Sequence, residues 1–288
     1  MSHSSLLPAF ANHLRIERGL SPRTVDGYGR DLFLFFKWAG SEAEVTKDRI
    51  LAYLAARPSW GAASRARAIA ALKTFGAWMA DSGHVASDPA GSISTPKIPK
   101  RLPKFPTGEE MTAFLSNSGR GNRSESVRDT AIAHMLGSLG LRRTEIVNLD
   151  VSQVDRSRWY LRVIGKGDKE RSLPLRGECQ KAMRAWVAHR ESVAKEGEPA
   201  LFVNDCAPSP HHGTRIGIGI VYEIARRRSS VAFGRPMSPH KFRHGAFTKL
   251  HLDGVSTPAI QKIAGHAKIE STMVYVHASE KEIEEALS

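Results

Sequence analysis

Apolar residues recur at helical spacing through the first third of the chain. Leu6 to Arg18 makes a first amphipathic stretch. Ser21-Pro22 opens a second, since a Ser hydroxyl accepts from the first free amides of a helix and a Pro at the first helical position has no N–H to waste. Val25, Tyr28, Leu32, Phe35, Phe36 and Trp38 follow near helical spacing, and this helix runs to about Ala39. Thr46 caps a third helix carrying Ile50, Leu51 and Leu54. A fourth spans about Ala62 to Ser82, and Ile69, Leu72, Phe75, Trp78 and Met79 form one apolar stripe that reads as core. Arg65, Arg67 and Lys73 fall mostly off that stripe, and they serve either as a solvated face or as phosphate contacts.

The pattern breaks between Thr95 and Pro106, where four prolines forbid a regular helix and favour an extended connector. Lys97, Lys100 and Arg101 lie within it, suited to a strap along phosphates or to an ordinary charged linker. Helical spacing resumes at Thr107, where Glu109 and Glu110 suit the positive end of a helix dipole. Val127 to Leu139 is apolar enough for a buried helix. Two β-like runs, Trp159 to Ile164 and Ser172 to Leu175, flank a glycine-bounded charged tip and predict a hairpin. Further helices are expected over Gln180 to Val193, Ile218 to Arg228, from Ser238-Pro239 onward, Ser256 to Ala264 and Lys281 to Leu287. Leu201-Phe202-Val203 reads as a short extended run and Ser209 to Gly217 as a loop. The sum is a mainly α chain with a small β-hairpin, divided at 1–95, 96–106 and 107–288.

Composition narrows the function. The 288 residues carry a formal charge of +13, and the pI is near 10.0. A strongly basic soluble chain favours a polyanionic partner, nucleic acid first among them. The two cysteines, Cys179 and Cys206, make neither a disulfide framework nor a CxxC pair. Cys206 with His211 and His212 fits no standard zinc spacing, and His240 with His244 lacks the Glu of an HExxH site. No metal or cofactor is therefore expected. No apolar run approaches the ~18 residues that cross a bilayer, and no signal peptide is legible, so a cytoplasmic location is expected.

The chemistry concentrates between Ser238 and His277. His240 and Arg243 stand three apart, His266 follows Gly265, and Tyr275 comes nine residues after His266. An Arg fork matches two phosphate oxygens. A His holds or donates a proton near neutral pH. A Tyr hydroxyl becomes a nucleophile where fixed cations stabilise the phenolate and the charge developing on phosphorus. Upstream, Arg142 follows Gly140-Leu141 where one helix ends and another begins, with Glu145 placed to orient an Arg. Lys166 lies at the hairpin tip between Gly165 and Gly167. Lys169 and Arg171 read as solubilising charges or phosphate contacts. Arg226 and Arg227, with Arg228, form a cluster facing either DNA or solvent.

In order, these motifs read GLRxxE, GKGxKxR, HxxR, GH and a Tyr nine residues on. The set resembles the tyrosine recombinases, or phage integrase family, and among them the short Xer-type members. The resemblance covers nearly the whole chain; where the family usually has Leu before the Gly-His pair, this sequence has Ala264. It implies an N-terminal SAM-like four-helix core-binding domain and a C-terminal α+β catalytic domain, closing on DNA as a C-shaped clamp. It implies that Tyr275 attacks a DNA phosphodiester, that Arg142, Arg243 and His266 hold the phosphate, that Lys166 protonates the leaving 5′-oxygen and that His240 is a base or stabiliser. ATP and metal are not required by such an enzyme. Implied partners are double-stranded DNA with inverted-repeat half-sites and a homo-tetramer, or a hetero-tetramer with a second recombinase, joined through the tail around Ile283 and Leu287. Chromosome or plasmid dimer resolution and mobile-element integration both remain open. So do a type IB topoisomerase-like relaxase and a non-catalytic DNA-binding regulator; a metal-dependent nuclease would want clustered carboxylates, and none stands out.

Overall fold

The structure, a computed structural model, describes residues 2–97, 105–116, 127–165, 168–205, 209–265 and 272–273. The chain divides into two compact units, Met1–Arg101 and Leu102–Ser288.

The first unit is all helix. A 3-10 turn, His3–Leu6, leads into α1 (Leu7–Ile16), followed by α2 (Pro22–Ala39), α3 (Lys47–Ala55) and α4 (Ala62–Asp81). The starts of α2 and α3 follow the sequence signals: Ser21 accepts from the Thr24 amide and Thr46 from the Arg49 amide, both at 3.3 Å. The core is a ring cluster. Phe10 meets Phe75 edge-on at 5.1 Å, Phe35 meets Tyr53 edge-on at 5.1 Å, and Phe75 stacks on Trp78. Asp31 is buried among them and receives two hydrogen bonds of 2.8 Å from Arg67.

The second unit opens with α5 (Gly108–Ser116), whose start is a reciprocal cap: the Glu110 amide donates to the Thr107 hydroxyl and the Thr107 amide to Glu110. Then come α6 (Val127–Gly137), α7 (Arg143–Val147), β1 (Val154–Asp155), β2 (Tyr160–Ile164), β3 (Glu170–Pro174), α8 (Gly177–Val193), α9 (Ile218–Phe233), α10 (Pro239–Leu252) and α11 (Thr257–Ala264). The three strands form one antiparallel sheet in the order β1, β2, β3, with Tyr160 opposite Pro174 and Ile164 opposite Glu170. Its inner face, Leu161, Val163 and Leu173, joins Ile132, Leu136, Met183 and Trp186 in a single core.

The fold class is the one the pattern predicts, with two differences of detail. The sheet gains β1, two residues too short to show an alternation. Helix α9 runs five residues beyond Arg228, through Ser229, Ser230, Val231, Ala232 and Phe233, and stops where Gly234 turns left-handed at φ +74°. Leu201, Phe202 and Val203 are buried and extended, tied by isolated bridges (Asp150 to Ala200, Val203 to Arg215) rather than by a full strand.

Candidate active site

Two arginines far apart in sequence converge on one carbonyl. Arg142 is the N-cap residue of α7, directly after the left-handed turn at Gly140. Its Nη1 donates to Ala264 O at 3.4 Å, and Arg243 Nη2 donates to the same oxygen at 2.6 Å. Arg243 Nη1 also donates to Gly140 O at 2.5 Å, so α10 clasps the turn from which Arg142 springs. The Arg243 guanidinium lies 4.7 Å above the Phe247 ring, one turn along the same helix. That ring explains Gly140 twice over: φ is +61°, and a Cβ there would stand 2.7 Å from Phe247 Cζ. Arg243 is buried, whereas the Arg142 side chain keeps 39% of its surface exposed.

Glu145 orients Arg142. The Arg142 amide donates to Glu145 Oε2 at 2.9 Å, and Arg142 Nη1 donates to Oε1 at 2.8 Å. The carboxylate is buried. Burial alone pushes its pKa up, but hydrogen bonds and charge from Arg171, and then hydrogen bonds from Arg142, outweigh it and leave the pKa below the ordinary value.

His240 stands exposed in the first turn of α10. Partial desolvation of its ring, then the cations of Arg243 and Arg142, lower its pKa, which favours a neutral imidazole near neutral pH. His244, one turn further, is buried, stacks on Phe105 at 4.7 Å, and has its pKa lowered to about 4 by burial and by His240. Gly245 faces Pro106 and Met111. The chain entering the second unit is thereby seated against the helix that bears His240 and Arg243. Among the described residues, no three His, Cys, Asp or Glu side chains come together as ligands.

Arg142, His240 and Arg243 are thus brought together. Lys166, His266 and Tyr275 lie outside the described residues, as do Lys100 and Arg101. The segments leading to two of them are defined: the hairpin closes with the Gly165 amide on Lys169 O at 2.8 Å, and α11 ends at Gly265.

The basic residues expected to touch DNA divide. Lys97, Lys169 and Arg226 are exposed. Lys73 donates to Gly91 O at 3.1 Å, and Arg65 lines a groove with Lys47, Leu51 and Ile69. Arg67, though exposed, is committed to Asp31. Arg227 pairs with Asp129, and Arg171 is buried against Glu145. Arg228 is buried and donates to the carbonyls of Phe114 and Leu115, closing the C-terminal end of α5. The sequence carried a signal for Arg171: strand alternation puts it on the same face as Leu173, which is buried.

No helix among the described residues is long and apolar enough to cross a membrane. The family model "Phage integrase family" matches residues 104–282, and "Phage integrase, N-terminal SAM-like domain" matches residues 7–83. The chain is 32% identical to the tyrosine recombinase XerC of Corynebacterium glutamicum, over 99% of this chain and 91% of that protein. It is 32% identical to the tyrosine recombinase XerD of Halalkalibacterium halodurans, over 95% and 93% of the two chains. Among solved structures, the XerH site-specific recombinase bound to palindromic difH DNA shares the fold, with a TM-score of 0.74 at 20% identity, over 99% of this chain and 84% of that one. The family model spans well over half of the chain, the XerC and XerD relatives span nearly all of it, and the chain belongs to the phage integrase family of tyrosine recombinases.

Proposed function

We propose that this protein is a site-specific DNA recombinase of the Xer type, cutting and rejoining strands through a 3′-phosphotyrosyl intermediate. The observation that carries the reading is the meeting of Arg142 and Arg243 at the Ala264 carbonyl, with His240 one turn from Arg243. Two guanidinia set side by side match the non-bridging oxygens of one phosphodiester and offset the charge that grows there in the transition state.

In this reading the Tyr275 hydroxyl attacks phosphorus. The new bond joins Tyr275 to the 3′-phosphate, and the bond to the 5′-oxygen breaks. His240, held neutral, takes the tyrosine proton or hydrogen-bonds the phosphate. Lys166 gives a proton to the leaving 5′-oxygen, and His266 adds a further hydrogen bond. The phosphotyrosyl bond conserves the energy of the phosphodiester, so a 5′-hydroxyl from another strand reseals the DNA without ATP. Two such exchanges, passing through a Holliday junction, complete recombination between sites.

The partners follow from the same reading: duplex DNA with inverted-repeat half-sites, and four protomers, of this chain alone or with a second recombinase, joined through the tail. Residues 1–95 bind the core site, 96–106 carry the strap and 107–288 the chemistry. The +13 charge supports a phosphate-tracking surface, to which Arg65, Lys73, Lys97, Lys100, Arg101, Lys169 and Arg226 contribute. Arg67 and Arg227 support it from their ion pairs with Asp31 and Asp129.

The test is covalent trapping. Protein is mixed with nicked duplexes carrying inverted-repeat sites, with and without EDTA, then stopped with SDS and digested for mass spectrometry. A phosphotyrosyl peptide at Tyr275, absent from Tyr275→Phe, is the expected result. Site-specific binding with no adduct on any nicked duplex points instead to a regulator. Cleavage that needs metal and survives Tyr275→Phe overturns the mechanism.

A further inference from the structure

Arg171 sits at the centre of the site without pointing out of it. Its side chain is 7% exposed. Nη1 and Nη2 donate to Glu145 Oε1 and Oε2 at 3.2 and 2.9 Å, a two-point match of fork to carboxylate. Glu145 is the group that holds both the amide and the guanidinium of Arg142. The same Arg171 guanidinium is bracketed by two glycines. A Cβ at Gly265 would lie 3.0 Å from Arg171 Nη1, and a Cβ at Gly165 would lie 3.5 Å from it. Gly265 immediately precedes His266, and Gly165 immediately precedes Lys166. One buried cation therefore pairs with the carboxylate behind Arg142 and lies beside the chain just ahead of Lys166 and His266.

Charge adds a second argument. Glu145 carries one negative charge between two guanidinia. Without Arg171, that charge would be spent on Arg142 alone, and the grip of Arg142 on an anion would weaken. With Arg171 present the trio keeps one net positive charge, and Arg142 is the member with surface left to meet a ligand.

We infer that Arg171 is a positioning residue for strand cleavage: it holds the carboxylate that orients Arg142 and sets the spacing of the two glycine turns that lead into Lys166 and His266. The inference rests on the proposed role of Arg142 as a phosphate ligand. It differs from the expectation of a phosphate contact at the hairpin, which would make Arg171 a contributor to DNA affinity and to its salt dependence.

The experiment is single-turnover formation of the covalent adduct on a nicked duplex, with DNA affinity across a salt series and thermal unfolding measured in parallel. Arg171→Gln is expected to slow cleavage on the order of 100-fold, the scale of a small misplacement of a catalytic group, while affinity and its salt slope stay unchanged. Arg171→Lys, which keeps the charge and loses the fork, is expected to fall between, and it decides the matter if Arg171→Gln does not fold. Because Arg171 acts through Arg142, the double variant Arg142→Lys with Arg171→Gln should be less impaired than the product of the two single effects. Unchanged cleavage in Arg171→Gln, wild-type cleavage in Arg171→Lys, strictly multiplicative effects, or lost affinity with a shallower salt slope would each overturn the inference. Normal cleavage by Arg142→Lys would instead undo the reading of the site on which it rests.

Discussion

The two units of this chain are held together by different means. In the first, apolar rings do the work: Phe10, Phe35, Tyr53, Phe75 and Trp78 interlock, and Asp31 is the one charged residue buried among the described residues there. In the second, charge is threaded through the core. Arg128, Asp129, Glu145, Arg190, Arg228 and Arg243 are all buried, and each of the four arginines donates to a backbone carbonyl of another segment. An arginine keeps its charge in such a place and can satisfy several carbonyls at once from a planar fork. Irregular connections can then be packed inside without leaving their oxygens unpaired. A basic composition thus has two origins in one protein. Part of the charge faces outward, where a polyanion would meet it, and part is structural.

The structural share of the charge is tested most directly by Arg228→Met. In the second unit it leaves the Phe114 and Leu115 carbonyls at the end of α5 without their donor. Each buried unpaired acceptor costs about 1–3 kcal/mol, so a loss of roughly 2–6 kcal/mol is expected from the two carbonyls. Thermal or urea unfolding of the second unit measures it, and a change below about 1 kcal/mol would mean that water replaces the arginine and that the buried charge is incidental.

Comparable in size is the response to acid. His134 on α6 is buried beside Arg228 and hydrogen-bonds Ser138, and burial, then that cation, lowers its pKa to about 4. His244 is lowered to about 4 as well. Both sit in the second unit. Their folded pKa values lie below the unfolded value of 6.5, so as pH falls the unfolded chain takes the protons first. The stabilisation is whole above about pH 6.5 and is lost progressively toward about pH 4. Each histidine accounts for roughly 3 kcal/mol over that window. The second unit should therefore melt at lower temperature on acidification while the aromatic first unit changes less. His134→Phe should flatten the response, and a profile that stays steep in the absence of both histidines would locate it elsewhere.

The same contrast governs what could be read before folding. The helices of the first unit were legible because an apolar stripe and a capping Ser or Thr each have one local meaning. The hairpin was legible for the same reason. The convergence of Arg142 and Arg243 is non-local, joining a turn after α6 to helix α10, and no spacing announces it; the ordered motifs stood in for it only through likeness to a family. Arg228 and Arg171 were read as surface charge because a run of three arginines, or a charged hairpin, usually is. Arg171 gave itself away only by sharing strand parity with Leu173. Arg228 gave no such sign, since the carbonyls it serves belong to a helix end more than a hundred residues earlier.

The smallest effect falls on the first unit and has the opposite sign. Gly27 and Gly29 lie inside α2, and a Cβ added at either meets nothing within 4 Å. Each costs the helix about 0.5–1 kcal/mol relative to Ala, and no contact inside the unit offsets that. Gly27→Ala and Gly29→Ala should each stabilise the first unit by that amount, read as a rise in its unfolding midpoint. Gly140→Ala in the second unit is the control: φ of +61° and the Phe247 ring both oppose it, so it should destabilise and loosen the clasp on Arg243. If the α2 glycines serve only the fold, the double alanine variant binds DNA as the parent does. If their bare backbone lets something outside the chain come close, affinity falls while stability rises, and that divergence in one protein separates a cost of folding from a requirement of binding.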